Sequence, residues 1–184
     1  MFEKIISSLI TLVSLLFPAI PGTDANFSEI MLSQNEQGIT CSANLTNWYN
    51  EELNKIFCLG EKIRIRFTAE TLEKDADSPI YKKQFYHQIM FDLVDEYFEI
   101  YYSESNEKFI TYDIAVAADY LARLDEVLLV EFSDLEPDKK YYIKLTAEMD
   151  PLYLDAVEKN IDLMIYWNNK KASFTSGFFV RPPT

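Results

Sequence analysis

Two cysteines and one histidine are the residues of this 184-residue chain best suited to redox or metal chemistry. Cys41 and Cys58 lie too far apart for a thioredoxin-type motif, which has two residues between its cysteines. Zinc needs three or four close ligands, and His87 is the single histidine, so we expect no metal or cofactor. A disulfide stays open, but Cys58 lies opposite the apolar stripe of a predicted helix, which favours two buried free thiols.

Acid–base and nucleophilic chemistry would also have to use His87. It shares one face of a predicted strand with Phe85 and Ile89, which favours a core or edge histidine over a general base. No G-x-S-x-G elbow is present, and the four glycines form no loop that could cradle a phosphate. We therefore assign no catalytic residue, and the sequence favours a protein without enzymatic activity.

Carboxylates are the one abundant reactive group. Glycosidases need only two of them, so an envelope hydrolase acting on glycans is the alternative function. Asp75 and Asp77 could bind calcium, but the glycine and the distal glutamate of an EF-hand are missing, which favours a solvated loop. The net charge of −13 without a basic stripe excludes nucleic acid as a partner and disfavours anionic membrane surfaces.

The N-terminus has the pattern of an export signal. An uncharged run over residues 5–20 precedes Pro21 and Gly22, and the small residues Thr23 and Ala25 suit cleavage after Ala25. The run is shorter than a membrane span, although an uncleaved anchor stays open. We expect residues 1–25 to be a signal peptide or anchor, with membrane contact only through such an anchor. Residues 26–184 would then form one periplasmic or otherwise extracytoplasmic domain.

Alternating apolar and polar residues dominate the rest of the chain and predict half-buried strands. This pattern indicates a mainly β fold, an antiparallel sandwich in which each sheet buries one face. The predicted strands cover 27–32, 39–45, 63–69, 85–93, 97–102, 127–132, 141–149, 161–167 and 174–180.

Two amphipathic helices interrupt the strands. Asn47 is the predicted cap of the first, which ends at Gly60 and places Tyr49, Leu53, Ile56 and Phe57 on its apolar stripe. The second helix is predicted after Thr111, as its cap, and runs to about Leu124.

The turn "LEPDKKYYIKL" resembles the tyrosine corner of immunoglobulin-like and fibronectin type III sandwiches. Leu135, Pro137 and Tyr141 occupy the spacing of that motif, in which the tyrosine hydroxyl bonds to the preceding loop. Together with the strand pattern, the corner predicts an immunoglobulin-like sandwich with two inserted helices.

A broader resemblance runs from residue 39 to residue 179. The stretches "LTNWYNEELNKIFCLGEKIRIRF", "HQIMFDLVDEYFEIYYS" and "DLMIYWNNKKASFTSGFF" resemble an exported bacterial family, domain of unknown function 4390. The family has no assigned activity, so it supplies no catalytic residues. The resemblance implies an exported bacterial protein, associated with a membrane sensor system.

Large aromatic residues are the candidates for binding, because amphipathic side chains carry much of the energy of protein interfaces. The exposed candidates are Trp48, Tyr101, Tyr102, Tyr166 and Trp167. Sandwich domains commonly serve as interaction modules, so the sequence favours a non-catalytic module that binds a protein in the cell envelope.

Overall fold

A computed structural model describes residues 22–154 and 158–182 as two antiparallel sheets with two α-helices. The α-helices are α1 (Glu51–Phe57) and α2 (Ile114–Ala122), and two 3₁₀ turns cover Phe132–Asp134 and Leu163–Trp167. The strands are β1 (Asn26–Gln34), β2 (Gly38–Thr46), β3 (Ile63–Glu73), β4 (Tyr81–Phe91), β5 (Phe98–Tyr102), β6 (Glu107–Thr111), β7 (Arg123–Glu131), β8 (Lys140–Met149), β9 (Leu152–Leu154), β10 (Lys159–Ile161), β11 (Ala172–Thr175) and β12 (Phe179–Val180).

The strands form a small sheet and a large one. The small sheet has the order β1-β2-β7, and the large sheet has the order β11-β8-β3-β4-β5-β6, with β12 also paired to β8. A separate hairpin joins β9 to β10. The fold is therefore the mainly β, antiparallel sandwich with two helices that the sequence predicts.

Period-two burial explains why these segments form strands. Ile63, Ile65 and Phe67 of β3 are buried and alternate with polar residues, and β8 alternates in the same way from Tyr141 to Met149. The apolar side chains of both sheets meet in one core, so each sheet hides one face from water.

Helix α1 begins three residues later than predicted, and helix α2 begins two residues later. Asn50, not Asn47, caps α1, and its Oδ1 accepts hydrogen bonds from the N–H groups of Glu52 and Leu53. Asn47 has a φ of 54° and ends the preceding strand. Asp113, not Thr111, caps α2, and the Thr111 hydroxyl instead accepts from the Asp113 N–H. In each helix the cap is therefore the acceptor that directly precedes the first turn, rather than the predicted residue two or three positions earlier.

The prediction of a strand over residues 161–167 is wrong, because Leu163–Trp167 forms a 3₁₀ helix. The Asp162 carboxylate accepts from the Met164 N–H and starts this turn. Leu163, Tyr166 and Trp167 then lie on one side and are all buried, which a strand could not achieve for neighbouring residues.

Most of the predicted signal peptide, residues 1–21, lies outside the described residues. The residues next to the predicted cleavage point already belong to the fold. The Thr23 N–H donates to the Tyr166 carbonyl at 2.9 Å, Asp24 pairs with Lys170, and Ala25 is buried. Cleavage after Ala25 stays a prediction, and it would remove these contacts. Within the described residues, no helix has the length and apolar character needed to cross a membrane.

The tyrosine corner has the geometry that the motif implies. The Tyr141 hydroxyl accepts from the Glu136 N–H at 3.0 Å and lies 3.3 Å from the Glu136 carbonyl, to which it donates. Leu135 and the Tyr141 ring are buried, whereas Pro137 is exposed at the tip of the turn. The corner therefore ties the start of β8 to the loop after β7.

The two cysteines are free thiols, as favoured, but only one of them is buried. Cys41 has no exposed surface, and burial raises the pKa of its thiol to about 11. Cys58 follows the last turn of α1 and is exposed, so the prediction that it is buried is wrong. Its position opposite the stripe of Leu53, Ile56 and Phe57 explains both results.

We expect Tyr141→Phe to lower the free energy of unfolding by about 1 to 2 kcal/mol, because the Glu136 backbone loses its side-chain partner. Tyr142→Phe is the matched control, since Tyr142 lies on the opposite strand face and is only half-buried. Urea denaturation measures both variants. Equal free energies of unfolding for the two variants would show that the hydrogen bonds of the Tyr141 hydroxyl do not stabilise the fold.

We also expect the thiols to react in two steps with a maleimide in the absence of reductant. The native protein should take one label, at Cys58, because the exposed thiolate is the reactive species. The unfolded protein should take two. Peptide mapping by mass spectrometry locates each label, and a native label on Cys41 would contradict the structure.

Candidate binding site

Three of the five aromatic candidates are wrong as exposed binding residues. Trp48, Tyr166 and Trp167 are all buried, and the Trp167 Nε1–H donates to the Trp48 carbonyl at 2.8 Å. Burial also raises the pKa of Tyr166 to about 12. These rings join the 3₁₀ turn to the segment before α1, so their role is structural.

The other two candidates, Tyr101 and Tyr102, lie on opposite faces of β5 and are half-buried. On the outer face, the Tyr101 ring lies 5.9 Å from Tyr86, and its hydroxyl donates to Asn106. On the inner face, the Tyr102 hydroxyl donates to the Tyr120 carbonyl, and burial raises its pKa. Only Tyr101 therefore keeps the outward position that the prediction required.

His87 is a core histidine that joins three elements. It lies on β4, its Nδ1 is 2.9 Å from the Leu121 carbonyl at the end of α2, and its Nε2 is 2.8 Å from Glu104 Oε1 in the β5–β6 turn. The ring is 1% exposed and packs edge-on against Tyr102 at 4.6 Å. The preference for a core residue over a general base agrees with this burial.

The carbonyl of Leu121 fixes the protonation pattern of this pair. A carbonyl can only accept, so Nδ1 carries a hydrogen and donates it. The short contact between Nε2 and Glu104 Oε1 then requires one proton between the two atoms. The pair is therefore either an imidazolium with a carboxylate or a neutral imidazole with a carboxylic acid, and both forms have zero net charge.

An exposed apolar surface lies at the other end of the same sheet region. We call it the hairpin patch, and it consists of Leu93, Val94, Tyr97, Ile110 and Tyr112. Val94 is 88% exposed and Tyr112 is 76% exposed, and the rings of Tyr97 and Tyr112 meet edge to face at 6.4 Å. Isolated exposed apolar residues are ordinary, whereas several of them at one end of a sheet make this surface the candidate for binding.

Local hydrogen bonds hold the β4–β5 turn that presents part of this patch. The Asp92 carboxylate accepts from the N–H groups of Val94 and Asp95, and these bonds lower the pKa of Asp92. Leu93 packs on Gly60, where a Cβ would lie 2.9 Å from the leucine Cδ1 and where φ is +80°. The turn is thus preorganised.

A comparison with protein families identifies the chain. The family described as "Domain of unknown function (DUF4390)" matches residues 23–154, which include both helices and strands β1 to β9. The chain belongs to this family. Comparisons with curated proteins and with solved structures give no match.

Metal binding was not expected for this DUF4390 protein. Within residues 22–154 and 158–182, no group of three or more His, Cys, Asp or Glu side chains could hold a metal ion. Asp75 lies in a turn with a φ of 67° and is 4.0 Å from the Lys74 ammonium. The Asp75 side chain is exposed in this turn.

The sequence analysis missed the hairpin patch and the role of Glu104. Strand β6 was not predicted, since Glu107–Thr111 contains two charged residues and has no clear alternation. Without β6, Ile110 and Tyr112 could not be placed beside Tyr97. The signal that was available is the pair Leu93–Val94, apolar residues enclosed by acidic residues in a turn.

In this DUF4390 domain, we expect His87→Phe to lower the free energy of unfolding by about 3 to 5 kcal/mol, because Glu104 loses the partner of its buried carboxylate. The change Glu104→Gln should cost less than about 1.5 kcal/mol, since the amide can donate to the neutral imidazole. Urea denaturation measures both changes.

The double variant His87→Phe/Glu104→Leu serves as the control, since it removes both polar partners together. It should recover part of the stability lost in His87→Phe alone. Glu104→Leu alone completes the cycle, and a loss in the double variant equal to the sum of the His87→Phe and Glu104→Leu losses would show that the two side chains do not interact.

Proposed function

We propose that this DUF4390 protein is a non-catalytic interaction module that binds a basic segment of a partner protein through the hairpin patch. The observation that carries the proposal is the grouping of exposed apolar side chains beside an edge strand. Such patches on a folded domain favour a partner that supplies its own apolar anchors.

The edge strand supports this choice. Among the described residues, β6 pairs with β5 alone, so its outer N–H and C=O groups have no strand partner. Ile110 and Tyr112 lie on one face of this segment, and Tyr97 lies beside Tyr112. An extended segment of a partner could add to β6 by main-chain hydrogen bonds while its side chains contact the patch.

Charge specifies the chemistry of the partner. Acidic residues surround the patch in the sequence, namely Asp92, Asp95, Glu96, Glu99 and Asp113. Of these, Glu99 is paired with Lys108, whereas Asp95 and Glu96 are exposed in the turn. The whole chain also carries a net charge of −13. A segment rich in lysine or arginine is therefore complementary to this surface, and its association should be weakened by salt.

The place of action is part of the same proposal. The export pattern of the N-terminal residues supports an extracytoplasmic module, and the family resemblance adds a protein of a membrane sensor system as the partner class. The alternative of a glycan hydrolase with paired carboxylates has no observation in its favour among the described residues.

Photo-crosslinking in the native envelope tests the proposal. The full chain carries p-benzoylphenylalanine in place of Tyr112, and mass spectrometry identifies the adduct. We expect an adduct with a partner segment of net positive charge, and its yield should fall with rising salt and in the added variant Val94→Ser. Both positions are exposed, so stability should stay within about 0.5 kcal/mol of the parent.

The same crosslinker in place of Tyr153 is the matched control, because Tyr153 is an exposed tyrosine on β9 that does not belong to the patch. It should not give the adduct. A crosslink to a second copy of the chain, to lipid or to an acidic segment would overturn the proposal, as would equal yields at the two positions.

A further inference from the structure

A second region of the molecule has the features of a ligand site and is separate from the hairpin patch. A cavity of about 380 Å³ lies where the β5–β6 turn faces the junction of α2 and β7. Its lining includes Glu104, Glu107, Lys108, Tyr120 and Arg123. The cavity is at the start of β6, whereas the patch is at the end of this strand.

Glu104 supplies the cavity with a buried hydrogen-bond acceptor that has no protein donor among the described residues. Its side chain is nine-tenths buried, and Oε1 is taken by His87. The other oxygen, Oε2, is buried and accepts no hydrogen bond from any described residue. A buried carboxylate oxygen without a donor is costly, so it favours a group that brings an N–H or O–H to it.

The charges of the lining favour a cation over a neutral donor. Glu104 belongs to the His87 pair, which has no net charge, and the Asp125 carboxylate lies 3.9 Å from the Arg123 guanidinium. Both basic groups already have partners, since Lys108 pairs with Glu99 at 3.0 Å and Arg123 lies over the Tyr120 ring at 5.0 Å. Glu107 has no ion pair with any described residue.

The shape of the site favours a small organic cation. No described cluster here has the three ligands that a metal ion would need. The apolar wall is the stacked pair of Phe109 and Tyr120, whose ring centres are 3.8 Å apart. An ammonium group has three donors, which can serve Glu104 and Glu107 together, and its carbon chain can lie on the Phe109 side.

We infer that this cavity binds a primary ammonium group, with Glu104 Oε2 and the Glu107 carboxylate as its acceptors. Oε2 has no accessible surface, so the entering group must displace a side chain of the wall. Lys108 and Arg123 are the side chains that can move, since they are 58% and 42% exposed. The ammonium group can belong to a free amine or to a lysine side chain.

Titrations followed by ¹⁵N–¹H NMR test the inference on the full folded domain. The probes are n-butylammonium chloride for a free amine and Nα-acetyl-lysine-N-methylamide for a lysine in a peptide. Both should give saturable shifts at the amides of residues 102–109 and 120–125. A lysine source is indicated if the peptide analogue binds more tightly, and a free amine if n-butylammonium does.

Two probes and two variants serve as controls. Tetramethylammonium keeps the charge without an N–H, and butan-1-ol keeps a donor without the charge, so neither should saturate the site. Glu107→Gln removes the lining carboxylate that has no ion pair with a described residue and should weaken ammonium binding about tenfold or more, equivalent to about 1.4 kcal/mol. Glu36→Gln removes one charge from an exposed turn and should leave binding unchanged.

Absence of saturable shifts with both ammonium probes would overturn the inference. Equal shifts with tetramethylammonium or unchanged affinity in Glu107→Gln would do the same. Crosslinking at Tyr112 does not depend on these outcomes, because the hairpin patch and the cavity share no residue. The two proposals can therefore fail separately.

Discussion

The two hydrogen bonds of the buried His87 imidazole hold together the region that carries both proposed sites. Its strand, β4, lies inside the large sheet, and its two nitrogens reach the last turn of α2 and the β5–β6 turn. A single ring therefore fixes how the helix sits on the sheet and where the hairpin turns. Because both nitrogens are occupied in a nearly dry environment, loss of either contact leaves a buried polar group without a partner. We therefore expect His87 to contribute to the stability of the fold through both of its ring nitrogens.

The same link separates the two surfaces that we consider functional. His87 holds Glu104 in the turn before β6. Next to it, the Ser103 N–H donates to the Tyr86 carbonyl, and the Ser103 hydroxyl accepts from the Tyr86 N–H. Strand β6 then runs along the edge of the sheet, so Ile110 and Tyr112 lie at its other end, near the Asp92 turn. A short strand thus carries a polar, partly enclosed cavity at one end and an open apolar patch at the other. The buried cavity suits a small charged group, and the exposed patch suits a segment of protein.

The sequence predicts the sandwich because burial on one face of a strand imposes alternation, as in β3 and β8. It also predicts the tyrosine corner, because Leu135, Pro137 and Tyr141 act within one turn. Elements without such local constraints were predicted wrongly. Leu163–Trp167 alternates weakly, and the decision between strand and 3₁₀ turn depends on Asp162 and on the tertiary contact from Trp167 to Trp48. The role of Glu104 in the cavity was missed for a related reason. Its contact with His87 joins residues that are distant in sequence and share no periodic pattern.

The aromatic residues show how far composition alone can mislead about function. The two tryptophans, the side chains most often found at binding hot spots, are used here to close the core. The exposed aromatic surface comes instead from Tyr112, whose ring meets the half-buried Tyr97 edge to face. This distribution has a physical reason. An indole with its N–H bonded to a buried carbonyl fills a large volume without leaving an unpaired donor, as Trp167 does, whereas the Tyr112 ring after the end of β6 stays available to a partner. Tyr112 can therefore contact a partner, whereas Trp48 and Trp167 are buried in the core and cannot.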